Sequence, residues 1–377
     1  MKNKGKLLEV AQVFFKMGCI AFGGPAAHIA MMEEEVVNKR KWMSRQHFLD
    51  LIGVTNLIPG PNSTEMTMHC GHERAGVPGL FVAGISFIFP AVLITGFLAW
   101  LYVTYGSLPN VEPFVFGIKP AVLAIIAGAV LKLGKKALKG WGLGVLGLLV
   151  FAASLLGFNE VSILLVAGVL GAIYFTSKTK LTDSPKSIVP LVLLQISSTT
   201  LVKITSLKVF WTFLKVGSVL YGSGYVLFAY LDAELVTAGW LTQQELMDAI
   251  AVGQFTPGPV LSTATFIGYQ LTGFWGAIAA SLGIFLPSFL FVLILNPLIP
   301  KMRKSKVLGH FLNSVNVAAV AVMAGVLVEM SRVILINDWR AIVIALISIG
   351  ITFGLKKSNA MWTVLGGSLL GYLLLLF

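Results

Sequence analysis

The chain has 377 residues, of which 56% are hydrophobic and 12% charged. A soluble domain carries about 25% charged residues, so composition excludes an ordinary water-soluble protein and points to a bilayer. The net charge of +12 would suit a nucleic-acid binder, but these charges lie in loops between apolar runs, where cytoplasmic Lys and Arg collect in membrane proteins. No nucleic-acid partner is expected.

Taken in order, the first apolar run, Leu7 to Gly24, ends in Phe22-Gly23-Gly24-Pro25, and helix resumes through His28 to Val37. No small-residue cleavage site follows, so the start reads as retained rather than as a signal peptide. A basic loop, Lys39 to Arg45, comes next, with Ser44 placed to cap a short helix over 45–57. That helix meets Asn56-Leu57-Ile58-Pro59-Gly60-Pro61-Asn62-Ser63-Thr64-Glu65, in apolar surroundings. Two prolines around a glycine cannot continue a helix, since each removes a backbone donor and clashes with the preceding turn. Pro61 instead suits the first position of a new helix, expected to run to about Arg74. Pro78 opens a long span to about Tyr105, and further spans are expected near 113–131, 141–157 and 160–176. Residues 177–207 read as a mixed linker, with 188–203 interfacial rather than spanning.

The second half repeats the first. Phe15-Lys16-Met17-Gly18 matches Leu214-Lys215-Val216-Gly217, Phe22-Gly23-Gly24 matches Tyr221-Gly222-Ser223, and Asp50 matches Asp248. The Pro-Gly-Pro returns as Gln254-Phe255-Thr256-Pro257-Gly258-Pro259-Val260-Leu261-Ser262-Thr263, and Gly71, Gly76, Gly79 and Pro90 return as Gly268, Gly273, Gly276 and Pro287. This is an internal duplication, 1–176 and 208–377 about the linker. The loop at 38–45 carries four basic residues and its counterpart 237–243 none, whereas 105–112 carries none and the region 298–306 carries Lys301, Arg303, Lys304 and Lys306. The positive side swaps, so the halves are expected to be inverted. The fold expected is an all-α polytopic membrane protein with two inverted-topology repeats, about ten spans and two re-entrant Pro-Gly-Pro hairpins.

Backbone broken at membrane depth is tolerated only where protein or a water-filled cavity covers it, and paired breaks mark a transporter's binding site. The new helix starts offer N–H groups from Asn62, Ser63 and Thr64, and from Val260, Leu261 and Ser262, with the positive end of each helix dipole. Such a cradle favours an anion, with side chains of Asn62, Ser63, Thr64, Ser262, Thr263 and Thr265 as further donors. The plainer reading of these groups is capping and helix–helix bonding. The breaks themselves comprise Gly23, Gly24 and Pro25, Pro59, Gly60 and Pro61, and in the second half Gly222, Gly224, Pro257, Gly258 and Pro259. Lys16 lies nine residues past Leu7, roughly 14 Å into a core roughly 30 Å thick, and Lys215 matches it. An intramembrane ammonium is a functional candidate, unless the helices begin later and both lysines reach headgroups. Glu65 and His69 share a face and are candidates for proton coupling, against a helix-stabilising Glu and an interfacial His. His72, Glu73 and Arg74 read as a solvated helix end. Glu33, Glu34 and Glu35 beside His28 do not share a helix face, so no metal site is expected, and no cofactor. Cys19 and Cys70 lack redox or metal spacing.

Together, Phe22-Gly23-Gly24-Pro25, Met32-Glu33-Glu34-Glu35, Trp42-Met43-Ser44, the run from Asn56 to Thr64, Arg74-Ala75-Gly76, Tyr221-Gly222-Ser223-Gly224-Tyr225 and Gly253 to Pro259 resemble the chromate ion transporter family in its long, two-repeat form. The resemblance implies a multi-pass carrier of the bacterial cytoplasmic (inner) membrane that exports chromate, a tetrahedral dianion shaped like sulfate, and confers chromate resistance. It implies no enzyme activity. A sulfate or general oxyanion carrier is the rival reading, and an anion channel a weaker one. Membrane lipid is an expected neighbour, and a homodimer is allowed but not required.

Overall fold

The computed structural model describes residues 2–22, 24–55, 58–106, 112–158, 160–178, 204–220, 226–295, 305–336, 338–354 and 360–376. These are helical throughout apart from turns and bends. The expected stretch 188–203, Gly23, Asn56, Leu57, Gly222 and Gly224 lie outside the described residues.

In the first half the helices are α1 (Lys2–Ile20), α2 (Gly24–Met32), α3 (Arg45–Thr55), α4 (Asn62–Tyr105), α5 (Glu112–Ala137), α6 (Trp141–Leu155) and α7 (Glu160–Lys178). The second half has α8 (Ser206–Val219), α9 (Leu227–Leu231), α10 (Gln243–Phe255), α11 (Thr263–Leu295), α12 (Lys306–Leu335), α13 (Trp339–Gly354) and α14 (Ala360–Leu376). Four stretches are long and apolar enough to cross a membrane: Asn62–Tyr105, Pro113–Ala137, Val260–Ile294 and Lys306–Leu335. Four shorter apolar helices accompany them, within α6, α7, α13 and α14. Large apolar side chains at i, i+4 spacing (Phe81, Ile85, Phe89, Leu93, Phe97) stand exposed along α4, and Leu282, Leu286, Leu290 and Ile294 do so along α11. In water such stripes are a liability; against lipid they are the natural outer face.

At 44 residues, α4 would measure about 66 Å if straight, twice the hydrocarbon thickness. It is not straight. Ala75 (φ −142°, ψ 20°) and Gly76 (φ 65°, ψ −156°) leave the helical region, and Gly71 comes into contact with the backbone of Gly79. Residues eight apart meet only if the chain turns back, so 62–74 and 77–105 form a helical hairpin with glycine at its crossing. Helix α11 does the same at Thr272 (φ −144°, ψ 25°) and Gly273 (φ 67°, ψ −150°), where Gly268 meets Gly276. Gly76 and Gly273 need the left-handed φ that glycine adopts without strain.

Elsewhere the halves interleave. The start of each long span is packed against the first helix of its half, α1 lying on α4 where Gly18 touches the Phe87 carbonyl, and α8 on α11 where Gly217 touches the Ile284 carbonyl. Further on, α5 packs against α12, α13 and α14, while α12 packs against α5, α6 and α7. Gly117 on α5 makes its closest approach to Gly367 and Gly371 on α14. Gly142 and Gly147 meet Phe175 and Val317, whereas Gly144 and Gly366 face open space.

Candidate functional site

The Ser44 hydroxyl accepts the His47 N–H at 3.2 Å and starts α3, which is described as far as Thr55. A bend through Ile58, Pro59 and Gly60 follows, all buried, and α4 starts at Asn62 behind an extended Pro61. In the second half α10 stops at Phe255, Pro259 is extended, and a 3-10 turn (Val260–Ser262) leads into α11. Gly60 (φ +138°) and Gly258 (φ +87°) hold conformations that L side chains rarely adopt.

Each break is completed by the other half. The Gly60 N–H donates to the Leu220 carbonyl at 2.6 Å, at the end of α8. The Gly258 N–H donates to the Ala21 carbonyl at 2.9 Å, at the end of α1. The two bonds are equivalent under the duplication, and both remove a buried backbone donor from the list of costs. They also fix the two helix starts beside the ends of the opposite first helices.

Of the amides expected to point at a ligand, two are turned inward. Thr64 N–H donates to Pro61 O at 2.8 Å and Ser262 N–H to Pro259 O at 2.9 Å. A tight i→i+3 first turn closes over the residue after Pro, which takes the third amide of each set out of play and leaves the donors before it. The hydroxyls also differ. Ser262 accepts from Thr95 at 3.1 Å, Thr263 donates to Val260 O at 2.8 Å, and Thr265 bonds Ser281 at 2.8 Å. At the first break Thr64 Oγ1 has no partner among the described residues, and Ser63 is buried.

Glu65 and His69 are both buried, at 0% and 1% exposure, so the interfacial reading of His69 does not hold. A residue one turn after Glu65 follows it into the protein because 62–74 is covered by α1, α2, α3 and α11. The carboxylate does not bond the imidazole; both its oxygens lack a partner among the described residues. The space beside Gly60 is where Glu65 Oε1 and Ser288 Oγ converge, a Cβ there standing 2.7 Å from the hydroxyl. At Gly258 the corresponding neighbours are Ala91 Cβ and the Gly18 carbonyl. Arg74 is not a solvated helix end either: it clasps Glu9 through Nε (3.0 Å) and Nη2 (2.6 Å) and lies under the Trp42 ring.

Lys215 is half-buried and bonds Glu234 at 2.8 Å; Lys16 is exposed and lies within electrostatic reach of Glu35. Glu35 and Glu234 are as far apart in sequence as the lysines, and both sit in π-helical turns (Glu33–Lys39 and Asp232–Val236). Sequence reading did not foresee these turns or the counter-ions they present; π-turns are often found at functional sites. The hydrogen bond from Lys39 is the main reason the Glu35 carboxyl sits below its ordinary range, burial opposes it, and Arg40 and Lys16 add to the lowering. Each lysine lies five residues, about 7 Å of helix, before the carbonyl that takes the opposite half's glycine amide. Lys16 therefore belongs spatially with the second break and Lys215 with the first.

Asp248, read from the sequence only as the repeat match of Asp50, forms a further charged group. Asp248, on α10, accepts from Tyr102 Oη at 2.5 Å and pairs with Lys119 Nζ at 3.4 Å, joining the halves. The Lys at 119, eight residues into an apolar span, was the available signal. Asp50, its sequence counterpart, has no described side chain. Among the described residues no three His, Cys, Asp or Glu side chains gather as a metal site would need.

Two stretches of the chain, residues 8–172 and 207–372, each match the family model described as "Chromate transporter". The chain is 31% identical to a probable chromate transport protein of Synechococcus elongatus, across 93% of this chain and 91% of that one. It is 28% identical to a chromate transport protein of Cupriavidus metallidurans, across 97% and 92%, and 30% identical to one of Pseudomonas aeruginosa, across 85% and 80%. No solved structure matches it.

Proposed function

This chain belongs to the chromate transporter family, and from that premise we propose that it is a secondary carrier exporting chromate across the bacterial cytoplasmic membrane. In this reading 1–176 and 208–377 are inverted repeats of five crossings each, and the helices on either side of each Pro-Gly-Pro form a re-entrant hairpin. The oxyanion lies between the two breaks, on the donors around Gly60, Asn62, Ser63 and Thr64 and around Gly258, Val260, Ser262 and Thr263. Lys16 and Lys215 draw the anion in by exchanging it against Glu35 and Glu234.

The observation that carries the proposal is the reciprocal pair of bonds, Gly60 to Leu220 and Gly258 to Ala21. They bring two helix starts to the seam between the halves, where a rocking motion of one half against the other exposes a site alternately. No nucleotide-binding loop appears in the sequence, so the driving force is a gradient or the membrane potential. A dianion leaving a negative interior gains about 2.3 kcal/mol per charge per 100 mV.

Chromate uptake into inside-out vesicles, with sulfate as competitor, tests this. Saturable uptake that resists excess sulfate is expected. Uptake abolished by sulfate makes the protein a general oxyanion carrier, and flux linear in concentration makes it a channel.

A further inference from the structure

The first break carries a carboxylate that an anion site does not call for. Glu65 is fully buried, and among the described residues it makes no hydrogen bond or ion pair. One further oxygen near it, Ser288 Oγ, is buried and unpartnered in the same sense. Glu65 and Ser288 come from different halves and converge on one point, the space that Gly60 leaves by lacking a Cβ. The described charged or titratable side chains on packed elements are Lys4, Lys6, Glu9, Lys16 and Cys19 of α1, His28 of α2, Arg45 and His47 of α3, Glu245 and Asp248 of α10 and Tyr269 of α11. His69, His72, Glu73 and Arg74 share its own helix. None of these bonds the Glu65 carboxylate.

A carboxylate out of water and without a counter-charge is among the least tolerable groups a fold can bury. A carboxylate with a hydroxyl oxygen beside it suits a proton or a hard cation, and when ionised it repels an oxyanion. The duplication supplies the control. At the second break Glu65 is replaced by Thr263, bonded to Val260 O, and Ser288 by Ala91. Among the described residues the corresponding turn there has no acid and no converging pair.

We propose that the pocket beside Gly60 seats the coupling cation, a proton or a sodium ion, on Glu65 with Ser288. The two breaks have then divided the work, the first taking the cation and the second keeping the larger share of the oxyanion. This rests on the carrier reading above.

A melting experiment tests the seat without any anion. A ligand that binds the folded protein stabilises it, so the cation that belongs here raises Tm. Purified protein is heated in sodium chloride, in choline chloride at equal ionic strength, and over a range of pH. Sodium or acid, but not both, is expected to raise the wild-type Tm, with the shift lost in Glu65→Gln and reached only at several-fold higher cation concentration in Ser288→Ala. An equal shift in Glu65→Gln, or in Ser288→Ala should the first variant not fold, overturns the proposal.

In vesicles, a gradient of the same cation is expected to drive chromate accumulation by wild type. Glu65→Gln should keep chromate-for-chromate exchange and lose the driven accumulation. Driven accumulation unchanged in Glu65→Gln, or wild type indifferent to both gradients, overturns the coupling. Wild type without any chromate exchange would sink the carrier reading alone, and the melting result would then decide the cation seat.

Discussion

The two Pro-Gly-Pro breaks share a following hinge and a bond to the opposite half, and differ in chemistry. Their hinges agree to within a few degrees, Ala75 and Gly76 against Thr272 and Gly273, and their glycine amides reach equivalent carbonyls of the opposite half. Yet one break buries Glu65 beside Ser288, and the other has Thr263 beside Ala91. The difference shows which features a duplication keeps. A backbone bond that crosses between halves constrains two segments at once, whereas a side chain facing a pocket constrains nothing beyond that pocket and can diverge.

The largest effect should come from the shared hinge. Gly71→Val places a Cβ against the Gly79 backbone, which has no rotamer by which to give way. Loss of folded protein from the membrane fraction is expected, and Gly268→Val should do the same. Gly76→Ala is the contrast, since nothing stands within 4 Å of its Cβ. It should cost only the backbone strain of its positive φ, about 1–3 kcal/mol. Gly76→Ala proving as damaging as Gly71→Val would show that strain, not close approach, sets the hinge.

Next come the glycines of the breaks. Gly60→Ala and Gly258→Ala should each lower chromate transport at least about tenfold, in line with a few kcal/mol of strain at a forced φ. Rescue should separate them. The Gly258 Cβ would lie 2.8 Å from Ala91 Cβ, so Ala91→Gly should return part of the activity. At Gly60 the obstacle is Glu65 itself, and Ser288→Gly should return none. Equal rescue at both breaks would erase the chemical difference between them.

Lys215→Gln should weaken anion affinity more than Lys16→Gln. It leaves the largely buried Glu234 without its cation, while Lys16 is exposed and Glu35 keeps Lys39 and Arg40. Half-exposed pairs are screened, so about 1 kcal/mol, several-fold in affinity, is the scale. Unchanged affinity in both variants would remove the lysines from the anion's path.

Local signals in the sequence were reliable here. Pro59-Gly60-Pro61 ends one helix and starts another, the helix after it stops at Arg74, and Ser44 caps α3, because each depends on a few neighbouring residues. What went unread depends on distant partners. Nothing local marks Leu220 as the acceptor for Gly60, because a backbone carbonyl carries no sequence signature. Tyr102 and Asp248 meet across 146 residues, and the π-turns that aim Glu35 and Glu234 at the lysines follow from packing, not from composition. The interfacial alternative for His69 does not hold because its cover comes from other helices, α1, α2, α3 and α11.

The smallest expected effect compares the caps that lead into the breaks, Ser44 and its counterpart Thr242. The Ser44 hydroxyl caps through the His47 N–H. Thr242 makes a full capping box: its hydroxyl accepts the Glu245 N–H at 3.1 Å and Glu245 Oε2 accepts the Thr242 N–H at 2.7 Å. Ser44→Ala should therefore cost about 1 kcal/mol of stability, near the middle of the range for lost caps, and Thr242→Ala somewhat more. The third residue of the first cap is His47, which lies 3.3 Å from Glu73 and so ties α3 to the end of 62–74. His47→Glu would complete a second box but set two carboxylates together, so thermal melting should show no gain from it. A clear rise in Tm would mean that the His47–Glu73 contact holds nothing, and that the first hairpin is fixed by its glycine crossing alone.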